Sequence, residues 1–217
     1  MIGSYEFRTC KDLSSLIDRF PFSTGCMVID TETTGLSSWK YVPKDGRFEC
    51  RIDDRILQLS AIDLQTGRTY FNDYFKPSNK KHWPEAEQIN HISYEKVKDK
   101  KTIAQRKDEL NDLFKDCYVI VGYNATFDIE FLEMEGIDLS HVRYVIDVMS
   151  DFANYWGEAH EYYHTYTWKK LTLAAKHFRY RGYDNAHDAL ADCLATRYVA
   201  CMLEEHWDPR PELEEYP

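Results

Sequence analysis

The run Cys26-Met-Val-Ile-Asp-Thr-Glu-Thr-Thr-Gly35 constrains the fold more than any other stretch of the chain. It opens apolar and β-branched, the pattern of a buried strand. It closes on two acids one residue apart. Alternate residues of a strand share a face, so Asp30 and Glu32 project together. Two like charges on one face repel unless a cation lies between them, and hard divalent cations take carboxylate oxygens. Thr33-Thr34-Gly35 reads as a turn whose N–H groups approach whatever such a cation holds. An isolated Asp-x-Glu also occurs where a strand simply ends in water, so the rest of the chain must decide.

With 217 residues and 43% hydrophobic content, the chain is long enough to bury a core. We expect one domain over residues 1–205 and an acidic, flexible tail over 206–217. The formal net charge of -10 argues against a protein that coats polyanions with a broad basic face. Nucleic acid would then be held locally, through about two or three phosphate contacts. The six cysteines show no Cys-x-x-Cys spacing. Free thiols in a reducing compartment follow, with a cytoplasmic location as the expectation. The N-terminus has neither a basic region nor an apolar core of signal-peptide type, and no apolar run would span a bilayer, so no membrane partner is expected.

Read in order, residues 11–20 predict a short helix and 26–32 a first strand. Residues 37–54 are polar and mixed and read as a long loop. Strands are expected over 55–64, 69–76, 118–123 and 143–147, the fourth apolar and therefore central. Helices are expected over 84–89, 102–116 with Thr102 as N-cap, 127–134, from Val148 onward, 170–178 and 188–205. A three-strand meander followed by alternating strands and helices gives an α/β fold with a mixed sheet covered by helices. Sites in such sheets gather where the strand order reverses.

Two more acidic clusters fall at suitable places. In Asn124-Ala-Thr-Phe-Asp128 the fourth strand ends and Asp128 enters the first turn of a helix, where the helix N-terminus favours a carboxylate. In Asn185-Ala-His-Asp-Ala-Leu-Ala-Asp192, Asn185 reads as an N-cap with Asp188 at its third position. His187 and Asp192 lie five apart, roughly 140° around an ideal helix, so one shared site requires His187 at the helix start. Asp30, Glu32, Asp128 and Asp192 supply four negative charges, which two divalent ions would balance. Paired metals are the usual device for phosphoryl displacement, and an imidazole is a natural acceptor of a water proton.

Taken together and in order, these motifs resemble the DEDDh branch of the DnaQ-like 3′–5′ exonucleases, over about residues 24–203. The resemblance implies a ribonuclease H-like fold with a five-stranded sheet in the order 3-2-1-4-5. It implies that Asp30, Glu32, Asp128 and Asp192 bind two Mg²⁺ (or Mn²⁺) ions and that His187 is the general base. It places the terminal nucleotide on the backbone of Thr33, Thr34 and Gly35, with Leu36 wedged against its base and Asn124 fixing the second motif. The implied reaction releases nucleoside 5′-monophosphates from the 3′ end of single-stranded or frayed DNA, in proofreading or repair. Two alternatives stay open: a 3′–5′ exoribonuclease on short RNA or RNA tails, and a non-catalytic nucleic-acid-binding or polymerase-accessory module; the resemblance also implies a DNA polymerase subunit as a partner. The chain departs from the family pattern at Tyr123, where histidine is frequent, and at Asn90-His91, where His-Gly is usual.

His160-Glu-Tyr-Tyr-His164 matches the His-Glu-x-x-His signature of zinc proteases, which requires a helix and a third ligand. Neither is foreseen here. The aromatic segment 154–168 suits a satellite core better than a base-stacking platform.

Overall fold

The computed structural model describes residues 5–21, 24–37, 39–44, 47–162, 165–183 and 186–208, with 39–44 and 47–52 described by their backbone. Among these residues a six-stranded mixed sheet forms the centre. Its strands are β1 (Glu6–Arg8), β2 (Cys26–Thr33), β5 (Ile56–Asp63), β6 (Thr69–Tyr74), β7 (Val119–Gly122) and β8 (Tyr144–Asp147), in the order β1-β8-β7-β2-β5-β6. The five expected strands take the expected order, and β1 adds a sixth beside β8. That short strand shows no burial alternation, since Glu6, Phe7 and Arg8 are all exposed, so no apolar pattern announces it. Parallel pairing with Tyr144–Ile146 holds it at the edge.

The second difference concerns residues 37–54, expected as a loop. Strands β3 (Trp39–Lys44) and β4 (Arg47–Ile52) pair antiparallel as a separate two-stranded sheet. The pair Asp45-Gly46 lies outside the described residues, but Asp-Gly between alternating runs is a strong hairpin signal. Pro43 and the scattered acids masked it. Proline is tolerated where a strand has a free edge.

Each central strand feeds two cores by simple alternation. Val28, Val119, Val121 and Ile146 enter one core, and Met27, Ile29, Ile120 and Val145 enter the other. On the first side lie α1 (Leu13–Arg19), α6 (Val148–Trp156), α7 (Leu171–His177) and α8 (Ala189–Glu205). On the second lie α4 (Lys107–Phe114), entered through a 3₁₀ turn capped by Thr102, and α5 (Ala125–Met134). The short helices α2 (Pro84–Asn90) and α3 (Tyr94–Val97) follow β6 and enclose a small third core around Trp83. No helix among the described residues is long and apolar enough to cross a membrane.

Helix α8 is the element that delivers Asp192. It lies close to the sheet because its buried stripe includes small side chains: Ala189, Cys193, Thr196 and Ala200. The Cys193 thiol reaches the carbonyls of Val28 (3.6 Å) and Ser60 (3.5 Å) and is fully buried between helix and sheet. Overfilling such a position forces the helix outward. Cys193→Leu should therefore lower stability by about 1–3 kcal/mol, read from the urea midpoint. A midpoint equal to that of the parent chain would show that the helix–sheet contact is looser than described.

Candidate active site

Strands β1, β8, β7 and β2 run in one direction, and β5 and β6 continue antiparallel from β2. The C-terminal ends of β2 and β7 therefore share one edge of the sheet, at the switch point where sites form. Asp30 and Glu32 occupy the end of β2. There the β2–β5 register shifts between Glu32 and Thr33, the kind of irregularity that re-aims side chains beside active sites.

Asp128 sits in the first turn of α5 and is 3% exposed. The Thr31 N–H and Thr31 Oγ1 both donate to its Oδ1, at 2.8 and 2.6 Å. Thr31 points to the opposite face from Asp30 and Glu32, so one strand supplies two acids and anchors a third. Asp192 lies in the first turn of α8. Its Oδ1 accepts from Tyr183 Oη (2.7 Å) and from the His187 N–H (3.3 Å). Glu32, His187 and Asp192 each bring one ligand-capable atom within 4.8 Å of the others.

His187 is exposed and precedes the helix, with φ 68°. That left-handed conformation resolves the spacing problem, because His187 is not on the helical wheel at all. Asp188, not Asn185, is the N-cap, and its side chain accepts from the Ala191 N–H (3.2 Å). Asn185 itself lies outside the described residues. Asp188 is drawn into the cap by Gln58 of β5, whose Nε2 donates to Asp188 Oδ2 (3.2 Å) while its Oε1 accepts from the Ala189 N–H (3.4 Å). His91 (φ 55°) and Asn124 (φ 71°) also adopt the left-handed conformation beside the site. Strained backbone of this kind concentrates where geometry is functionally constrained.

The electrostatics are those of crowded, buried carboxylates. Burial, and then repulsion from Asp128, Asp192 and Glu32, lifts Asp30 well above the usual carboxylate range. Glu32 is pushed up to about 8 by burial and by Asp192, with the Asn90 amide pulling the other way. Asp128 rises to about 7 through burial, against the two Thr31 bonds. Asp192 also rises on burial, against the Tyr183 bond. Oxygen donors crowded this closely, and this costly to ionise alone, fit a hard divalent cation.

Around this centre the turn of Thr33–Leu36 is held by Asp54. Asp54 accepts from Thr34 Oγ1 (2.9 Å), the Ser37 N–H (3.1 Å) and Lys80 Nζ (2.6 Å). A Cβ on Gly35 would lie 2.4 Å from Asp54 Oδ2, so only glycine fits there. Leu36 beyond it is 86% exposed. Asn124 is exposed, and its N–H donates to Asp147 Oδ1 (3.1 Å). Tyr123 Oη donates to the Lys169 carbonyl (2.7 Å). Tyr123, Tyr183 and Trp168 border a cleft of about 540 Å³ that opens onto Asp30, His187 and Asp192.

Asn90, in the place where the family usually has histidine, turns inward. Its Nδ2 donates to the Thr33 carbonyl (3.1 Å), its Oδ1 accepts from the Ile92 N–H (3.1 Å), and its amide also bonds Glu32. Sequence reasoning therefore missed Asn90, Asp54, Gln58 and Tyr183 as site-shaping residues. Only Asn90 carried a signal, as a departure from a familiar pattern.

The zinc-protease signature does not become a site among the described residues. His160 lies between the bridged residues Ala159 and Tyr166, not on a helix, and His164 falls outside the described residues. The aromatic segment divides. Tyr155 and Trp156 pack with Phe152 and His177, whereas Tyr162 and Trp168 are exposed, Trp168 at the cleft.

An exonuclease family model, RNase_T, matches residues 27–200. The chain belongs to this family. It is a DnaQ-like exonuclease, and the family explains why the acids at the end of β2 and in the first turns of α5 and α8 were legible together. The DNA polymerase III subunit epsilon of Escherichia coli (strain K12) is 30% identical over 112 residues, which are 50% of this chain and 42% of that protein. The match thus spans less than half of that relative's length. Among solved structures, exonuclease X in complex with 5′ overhanging duplex DNA superposes with a TM-score of 0.54 at 17% identity, covering 87% of this chain and 97% of the other. The nuclease domain of 3′hExo, a DEDDh family member bound to rAMP, superposes with a TM-score of 0.54 at 16% identity, covering 83% and 92%. Likenesses at this identity speak to the ribonuclease H-like fold.

The exonuclease's Asp54 offers a test of how the turn is held. Burial alone would raise its pKa, but Lys80, Ser37 and Thr34 more than offset this and hold it below the ordinary value. A depressed folded pKa contributes stability that is present above the unfolded value, about 3.9, and is lost as pH falls through the folded one. Lys80→Gln should cost on the order of 1 kcal/mol at neutral pH, and the cost should vanish in acid as Asp54 protonates. Urea unfolding of both proteins at neutral and acidic pH measures this, and an equal difference at both would refute the ion-pair account.

Proposed function

We propose that this exonuclease works in the 3′–5′ direction, releasing nucleoside 5′-monophosphates from the 3′ end of single-stranded DNA or frayed duplex ends. The observation that carries the proposal is the convergence of Asp30, Glu32, Asp128 and Asp192, with His187, at one edge of the sheet. The four carboxylates would hold two Mg²⁺ (or Mn²⁺) ions, which supply electrostatic stabilisation of the phosphoryl group and its departing oxygen when bound. His187 accepts the proton of the attacking water. Its place before α8, outside the helical hydrogen-bond ladder, leaves the imidazole free to meet solvent and substrate. The N–H groups of the Thr33–Gly35 turn hold the terminal nucleotide, and the exposed Leu36 wedges against its base. DNA is the favoured substrate because the epsilon subunit belongs to a DNA polymerase. A role in proofreading or repair and a polymerase partner go with that reading.

Two substitutions separate the parts. Asp128→Asn keeps an oxygen for the two Thr31 donors but removes charge, so the fold should persist while nearly all activity disappears. His187→Ala should retain metal binding and lower turnover by about 10²–10⁴, the usual worth of a general base. Digestion of 3′- and 5′-labelled single-stranded DNA, duplex DNA and RNA of one sequence, with and without EDTA, reads direction, sugar preference and metal need together. Mononucleotides released first from the 5′ end, or activity of Asp128→Asn near the parent level, would overturn the assignment.

A further inference from the structure

Asp30 and Glu32 stand at the end of β2, in the interior of the strand order, and the two halves of the sheet meet them differently. On the β5–β6 half lies the Thr33–Leu36 turn. The Thr34 N–H donates to the carbonyl of Arg55 (2.9 Å), just ahead of β5, and Asn90 of α2, the helix after β6, holds the Thr33 carbonyl (3.1 Å). On the β7–β8 half lies the cleft. Tyr123 comes directly after β7 and Met149 stands at the start of α6, directly after β8, and both line it together with Trp168, Lys170 and Tyr183. The cleft reaches Asp30, His187 and Asp192, and among the described residues its lining includes none of the turn. A phosphodiester lying on the acids carries a nucleoside on either side. With the terminal nucleotide on the turn, its neighbour is directed toward the cleft.

Trp168 is the feature of this cleft that packing does not explain. Its side chain is 66% exposed. A single exposed apolar side chain is ordinary on a protein surface, but the setting of this one is not. The segment that carries it is fixed to its surroundings. The Thr167 N–H donates to the Glu158 carbonyl (2.8 Å), and Ala159 and Tyr166 form an antiparallel bridge. The Tyr123 hydroxyl donates to the Lys169 carbonyl (2.7 Å), and Lys169 Nζ pairs with Glu158 (2.6 Å). The tyrosine that stands where the family frequently has histidine thus ties the end of β7 to the residue after Trp168. An indole on a fixed backbone presents a large flat face at low cost in conformational freedom. Lys170, exposed on the same cleft, offers a cation to an anionic ligand, whereas the Lys169 ammonium is engaged by Glu158. A flat ring carrying negative charge is the chemistry of a nucleotide, and bases stack on aromatic side chains whatever their identity.

Within the 3′–5′ exonuclease reading, on which this rests, we propose that Trp168 stacks on the base of the penultimate nucleotide, the one on the 5′ side of the scissile phosphate. The cleft is then a second nucleotide subsite, indifferent to base identity. Each cleavage depends on the base that stays on the strand as well as on the one released. A dinucleotide is the shortest substrate that uses both halves of the site.

The test moves one abasic residue along a single-stranded 3′ end. Oligonucleotides of about ten nucleotides carry it at the first, second or third position from the 3′ end, or nowhere. KM and kcat for the first cleavage are measured for the parent, Trp168→Ala and Trp168→Phe, and binding of the same strands is measured in an Asp128→Asn background. On the unmodified strand Trp168→Ala should raise KM about tenfold and change kcat by less than about twofold, the pattern of lost uniform binding. Trp168→Phe should recover most of that loss, because any aromatic face stacks. The effect of Trp168→Ala should disappear only with the abasic residue at the second position. Persistence of the effect there, or its disappearance with the abasic residue at the first position, would overturn the proposal. Equal KM for parent and Trp168→Ala on the unmodified strand would overturn it too, and would leave the nuclease reading intact. A parent protein that hydrolyses none of these strands, yet whose Asp128→Asn form loses affinity on Trp168→Ala in the same position-dependent way, would support the subsite while overturning the nuclease reading alone.

Discussion

Four acidic side chains gathered in one largely buried cluster set the terms for the rest of this molecule. Burial raises the pKa values of Asp30, Glu32, Asp128 and Asp192 alike, and repulsion from the other site acids adds to it at Asp30 and Glu32. Neutral donors hold the carboxylates in direction: Thr31 for Asp128, Asn90 for Glu32 and Tyr183 for Asp192. These bonds orient oxygens without cancelling charge. A buried charge that is oriented but not neutralised remains costly, which is the physical content of a metal site prepared by protein alone. The three donors come from a strand, a short helix and the segment before α8, so the surrounding fold is committed to the same point.

The fold was legible to the extent that its elements carry one-dimensional patterns. Strands β2, β7 and β8 are apolar on both faces, and each acid of the site falls at a strand end or in a first helical turn. Period and punctuation alone thus gave the positions of five strands, while their order in the sheet came from the family resemblance. Strand β1 carries no pattern: Phe7 is 61% exposed, and only the free edge of β8 decides its pairing. The hairpin failed for the opposite reason. Its sequence alternates, but Pro43 and the nearby acids have the composition of a loop.

Polar residues with long-range partners were the least legible. Asp54 bonds Thr34 across 20 positions, Asn90 bonds Thr33 across 57, and Gln58 reaches Asp188 across 130. Nothing local distinguishes such a side chain from a solvated one. The cap of α8 shows a tertiary contact deciding between local candidates. Asn and Asp cap helices about equally well, and Gln58 bonds Asp188 and the Ala189 N–H. With Asp188 as the cap, His187 lies outside the helix and beside Asp192.

Asp54 joins these observations into one mechanical unit. Its carboxylate lies against Gly35 so closely that no side chain could stand there, and the same group closes the neck of the hairpin through Ser37. The turn proposed to hold the terminal nucleotide and the neck of the hairpin thus share one buttress, itself fixed to the body through Lys80. Among the described residues the hairpin shares no strand pairing with the central sheet, and its neck is tied to the body by Lys80 on the Asp54 carboxylate and by Asn79 on the Asp53 carbonyl.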